Sequence, residues 1–76
     1  MKKITKREIE VLDLISKGFT SKEIADLLYI SPETVMTHRT HLLNKMRVKN
    51  TALMIRKGFE TGLLSLQPHM RLQVAI

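Results

Sequence analysis

The side chains best suited to chemistry gather in the stretch THRTHLLNK, where His38 and His41 stand three residues apart and Asn44 follows at the same interval. Imidazoles so placed could hold a metal or move protons if they shared a helix face with a further ligand. Three residues of α-helix turn the side-chain direction by about 300°, leaving the two rings about 60° apart. No nearby carboxylate completes a metal set, so a packed or phosphate-bonded His38 is expected instead. Glu8 and Glu23 could be read as paired carboxylates, but each lies three residues after a threonine, Thr5 or Thr20, where a glutamate closes a helix cap. The chain has no cysteine, no glycine loop for a phosphate and no nucleophile elbow. The sequence therefore predicts no catalytic residue, metal, cofactor or small-molecule substrate.

Charge gives a positive indication. The 76 residues carry 13 Lys and Arg against 7 Asp and Glu, a net charge of +6. Such an excess suits a polyanion, because each cation laid on a phosphate releases condensed counterions. The excess is not uniform. Residues 5–30 hold Lys6, Arg7, Lys17 and Lys22 against Glu8, Glu10, Asp13, Glu23 and Asp26, whereas residues 31–57 hold Arg39, Lys45, Arg47, Lys49, Arg56 and Lys57 against Glu33 alone. The positive field belongs to the second half. Lys2 and Lys3 are followed at once by further charges rather than by the apolar run of a secretory leader, and no stretch could span a bilayer. A cytoplasmic protein without a membrane partner is expected.

The elements that must position these groups are legible from three repeated starts. Ile4-Thr5-Lys6-Arg7-Glu8-Ile9 predicts a first helix capped by Thr5 and running to about Lys17, with Gly18 as its left-handed exit. Phe19-Thr20-Ser21-Lys22-Glu23-Ile24 predicts a second, ending near Leu28. Ile30-Ser31-Pro32-Glu33-Thr34-Val35 predicts a third over residues 31–46, with Pro32 at the first position. The three residues between the second and third helices force a steep crossing, the geometry of a helix-turn-helix. A fourth helix is expected from about Thr51 to Thr61, capped by Asn50 or Thr51, with Ala52, Ile55, Phe59 and Leu63 as its core stripe. The fold class is all-α, a compact four-helix bundle containing a helix-turn-helix over residues 1–64. Residues 65–76 are expected to form a C-terminal tail, either loose and flexible or ordered by a partner.

On the third helix, Val35, His38, Leu42 and Met46 fall on the side that should face the core, with Arg39 and Leu43 at its edge. The opposite side collects Glu33, Thr37, Thr40 and Asn44, flanked by Met36, His41 and Arg47. Polar residues on an amphipathic helix often do no more than face water. Here they are short, carry hydrogen-bonding groups and methyls, and are bordered by Lys22, Arg39, Lys45, Arg47 and Lys49, a combination suited to base edges in a major groove between two phosphate backbones. The amides at the start of the second helix, with Thr20, Ser21 and Lys22, form an anion site.

Taken in order, the Thr5-to-Leu12 opening with Glu8, Gly18, the Glu23-Ile24-Ala25 triplet, Ser31, the Thr34-Val35-x-x-His38 run and Lys45-Met46 before Val48 resemble the LuxR/FixJ-type DNA-binding domain of response regulators and quorum-sensing receptors, over residues 4 to about 64. The resemblance implies duplex DNA binding in transcription regulation, in the setting of a two-component system. It places Met36, Thr37 and Thr40 at base-reading positions, to which the helical wheel adds Asn44. It places Lys22, Thr34 and Lys45 on phosphates, beside Thr20 and Ser21 from the anion site of the second helix and Arg39 and Arg47 from the charge pattern. Ala25 would be the small residue that lets the second and third helices approach. The fourth helix would make a homodimer contact through an outward face of Leu53, Met54, Lys57, Gly58 and Thr61, and RNA polymerase is a further candidate partner. Met36 is a departure, since the family usually has Lys or Arg there. A methionine cannot bond to guanine and could at best touch a thymine methyl. Asn50 and Thr51 likewise stand where the family tends to have Arg. Two other readings compete: a promoter-reading module like the fourth region of a sigma factor, and a basic helical domain that meets an acidic protein.

Overall fold

A computed structural model describes residues 3–65. It contains four helices, α1 (Lys6–Ser16), α2 (Ser21–Leu28), α3 (Pro32–Met46) and α4 (Thr51–Glu60). The expectation of a flexible tail concerns residues that, Ser65 apart, lie outside those described.

Each helix begins on a side-chain cap that satisfies amides lacking an intrahelical partner. At α1 the Glu8 amide donates to Thr5 Oγ1 at 3.1 Å and the Thr5 amide donates back to Glu8 Oε1 at 2.9 Å. Thr20 and Glu23 repeat this box at α2. Ser31 Oγ accepts from the Thr34 amide ahead of α3, and Asn50 Oδ1 from the Leu53 amide ahead of α4. Of the two candidates for the last cap, Asn50 therefore serves.

The exits follow one pattern with different residues. After α1, Gly18 takes φ +92°, the Phe19 amide donates to the Leu14 carbonyl and the Gly18 amide to that of Ile15, the paired bonds of a Schellman motif. After α2 and α3 the left-handed position is taken by Tyr29 (φ 58°) and Arg47 (φ 57°), with the Ile30 amide on the Ala25 carbonyl and the Val48 amide on that of Leu43. A side chain in that region costs roughly 1 kcal/mol. Ile30 and Val48, the next residues, pack against the core, and their burial offsets the strain.

The core joins Val11, Leu12 and Ile15 of α1, Ile24 and Ala25 of α2, Val35, Leu42 and Met46 of α3, Met54 of α4, and Leu64. Helix α3 packs against each of the other three, so its orientation is set from three sides. The buried Ala25 stands on α2 where the expected small residue should.

The core stripe of α4 differs from expectation. Ile55 and Leu63 do pack on the core, but Ala52 and Phe59 are exposed, and Met54 and Gly58 are buried in their place. The reason lies beyond the helix. The Leu64 amide donates to the Gly58 carbonyl at 3.0 Å, folding Leu64 back over the glycine. A Cβ on Gly58 would stand 2.8 Å from Leu64 Cδ1 and 3.4 Å from Leu12 Cδ2. The absence of a side chain at position 58 thus draws that face inward. With apolar residues at 52, 53, 54, 55 and 59 around only 10 residues of helix, periodicity could not choose between two faces.

Candidate nucleic-acid interface

The faces of α3 are placed as its periodicity predicts. Val35 and Leu42 are fully buried. Glu33, Met36, Thr37, Thr40, His41, Asn44 and Arg47 are exposed, and His38 is half-buried at the edge. The open side of α3 is therefore the side of short polar groups and methyls, with Met36 57% exposed among them. Two hydroxyls near its start are already engaged. Thr37 Oγ1 donates to the Glu33 carbonyl at 3.1 Å, and Thr34 Oγ1 shares a 2.9 Å hydrogen bond with Ser31 Oγ.

On the flank toward α2, Arg39 Nη1 reaches Ser21 Oγ at 3.5 Å, while its Nε is buried without a hydrogen-bond partner. This contact brings a cation of α3 to the amino-terminal turn of α2, where Thr20 and Lys22 are exposed. Free amides, a hydroxyl and two cations thus meet at one helix start, an arrangement suited to a phosphate. Arg47, exposed just beyond α3, stands at the other end of the open side.

Lys45 is placed otherwise than its expected phosphate role requires. Its ammonium donates to Glu8 Oε1 at 2.8 Å, to Glu8 Oε2 at 3.0 Å and to the Lys3 carbonyl at 3.1 Å, and its side chain is 18% exposed. All three donors are satisfied within the chain, so Lys45 ties α3 to α1 instead of offering a free cation. The cause is its direction on the helix, turned toward the buried flank and not the open one.

Glu8 is the residue whose importance the sequence hides. Read locally it only closes a cap, yet it is 2% exposed and the one buried charged residue among those described. Burial alone would push its carboxyl up, but hydrogen bonds from Lys45 and the Thr5 amide, with the charge of Lys45, outweigh burial and hold it below the usual carboxylate range. His41 Nδ1 lies 3.8 Å from Glu8 Oε2. A carboxylate does therefore approach His41, because α1 delivers it from 33 positions away along the chain. A salt bridge formed across 37 positions has no local signature.

The outward face assigned to α4 also needs correction. Leu53 and Thr61 are exposed as expected, but Met54 and Gly58 are in the core. Lys57 is half-buried, and its ammonium donates to the Met46 carbonyl at 2.7 Å, capping the end of α3. The side left open carries Ala52, Leu53, Arg56, Phe59 and Glu60, with Arg56 and Glu60 paired at 3.3 Å.

The profile of the bacterial regulatory proteins of the luxR family (GerE) matches residues 2–57. The oxygen regulatory protein NreC of Staphylococcus carnosus (strain TM300) is 39% identical over 61 residues, 80% of this chain and 28% of NreC. NreC of Staphylococcus aureus (strain JH9) is 40% identical over the same length. The chain thus spans under a third of the length of these relatives. Among solved structures, the transcription factor GerE aligns with a TM-score of 0.80 at 30% identity, over 87% of this chain and all of GerE. The response regulator ChrA of a heme-sensing two-component system aligns at 0.79 and 31% identity, over 84% of this chain and 32% of ChrA. The match decides between the helix-turn-helix readings against the sigma-factor alternative: the chain belongs to the luxR family of bacterial regulatory proteins, as a helix-turn-helix DNA-binding domain and not an enzyme.

Proposed function

We propose that this domain recognises a particular duplex sequence by laying α3 in the major groove, with Met36, Thr37, Thr40 and Asn44 toward the bases. Thr20, Ser21 and Lys22 of α2, with Thr34, Arg39 and Arg47, grip the phosphates on either side. The observation that carries this reading is that Thr37 and Thr40 lie open while Val35 and Leu42 are sealed in the core. A helix anchored on three sides can then offer a rigid polar edge. The same cations would suit an acidic protein, but a face of small groups bordered by cations fits the two materials of a duplex separately: bases at the centre and phosphates at the rims.

Two copies would pair through the exposed side of α4, around Leu53 and Phe59, as part of a cytoplasmic regulator of the response-regulator kind that also meets RNA polymerase. Selection of bound sequences from random duplexes tests the reading, and a paired or repeated half-site is the expected result. The log of affinity should fall with log salt at a slope of roughly four to five, for about four to six phosphates per subunit. A flat salt response would exclude DNA.

A further inference from the structure

We propose that the base-facing part of α3 recognises thymine by its C5 methyl group, through Met36 and the methyl of Thr37, and disfavours guanine at the base pairs they cover. The proposal rests on the major-groove placement of α3 given above. Guanine shows two acceptors in that groove, O6 and N7, and is best met by the forked or multiple donors of Arg or Lys, whereas thymine shows a methyl and one acceptor.

The structure removes the donors from this part of α3 one by one. Met36 has none and is 57% exposed. The hydroxyl proton of Thr37 is engaged by the Glu33 carbonyl at 3.1 Å, leaving its methyl and its lone pairs for a partner. Lys45 is held by Glu8 and the Lys3 carbonyl. Arg39 lies against Ser21 on the α2 side, and Arg47 comes only after the helix has ended. His41 keeps a ring nitrogen 3.8 Å from Glu8, on the α1 flank. Glu33, at the first turn, is an acceptor that guanine O6 and N7 would repel and that suits only the amines of adenine or cytosine. Of the remaining groups, the Asn44 amide can pair in a fork with adenine N6 and N7, and Thr40 adds a methyl and a hydroxyl. The surface is complementary to A·T pairs and poorly matched to guanine.

The test uses this chain and the duplex it enriches from a random pool. Each thymine of the half-site is replaced in turn by deoxyuridine, which deletes the methyl and preserves pairing. At one or two adjacent positions affinity should fall roughly fourfold, the effect of withdrawing one buried methyl at ~0.8 kcal/mol. Met36→Ala, checked for helicity by circular dichroism, should abolish the loss at one of these positions. Replacing that T·A pair by C·G should weaken binding, and 5-methylcytosine there should recover part of it. Uracil substitution without effect, in a half-site that is nonetheless enriched, would overturn methyl recognition while leaving the groove placement intact. Enrichment of no sequence would remove the groove placement and this proposal together.

Discussion

Helices α1 and α2 begin with the same device, a threonine followed three positions later by a glutamate, and form the same local bonds. The threonine amide meets the glutamate at 2.9 Å in α1 and 2.8 Å in α2, and both return bonds are 3.1 Å. Their surroundings then part. Glu23 remains exposed and caps α2 in contact with solvent. Glu8 is buried against the middle of the molecule, takes two hydrogen bonds from Lys45 and draws His41 to its edge. One box starts a helix; the other also ties α3 to α1. Equal local chemistry acquires unequal weight when only one copy lies where two helices meet.

The sharpest way to break this comparison is to remove each glutamate. Glu8→Ala leaves the Lys45 ammonium, only 18% exposed, without its counter-charge, and should cost about 3 kcal/mol of unfolding free energy by urea titration, near the lower end for breaking a buried pair because Lys45 keeps some access to water. In a domain this small that is a large share of the total. A loss below about 1 kcal/mol would reduce Glu8 to an ordinary cap.

Acid should distinguish the boxes next. The folded-state pKa of Glu8 is depressed, so its contribution is complete above the unfolded value of about 4.3 and is lost as pH falls through the folded one. Stability measured at a series of pH values should decline below about pH 5, and Glu8→Gln should flatten part of that decline. An unchanged slope in the variant would show that other carboxylates carry the acid sensitivity. The smallest effect belongs to Glu23→Ala, which loses one exposed capping bond and should cost about 0.5–1 kcal/mol. If it equalled Glu8→Ala, the contrast between the boxes would be void.

The two later helices divide legibility in a similar way. Over 15 residues of α3 the apolar positions 35, 42 and 46 and the polar positions 33, 37, 40 and 44 lie on opposite sides, so periodicity alone places Val35 inside and Thr40 outside. Helix α4 has apolar side chains on every side, and the choice fell to Gly58, which Leu64 covers. Lys57 and Lys45 look like surface cations in sequence, yet one caps α3 and the other holds α1. The exposed residues of α3 were legible because a helix buried on one side leaves the other open. The reach of the lysines and the α4 face were less so, since a long cationic stem can reach inward as readily as outward.

Caps, turn lengths and the amphipathic period of α3 follow from neighbours within a few residues, and their order along the chain was enough to define four helices and the open edge of the third. The partner of Glu8, the inward turn of Gly58 and the left-handed positions of Tyr29 and Arg47 depended on tertiary structure. Each is settled by how the core packs: Glu8 meets Lys45 across 37 residues, Gly58 lies under Leu64 and against Leu12, and the residues after Tyr29 and Arg47, Ile30 and Val48, pack on the core.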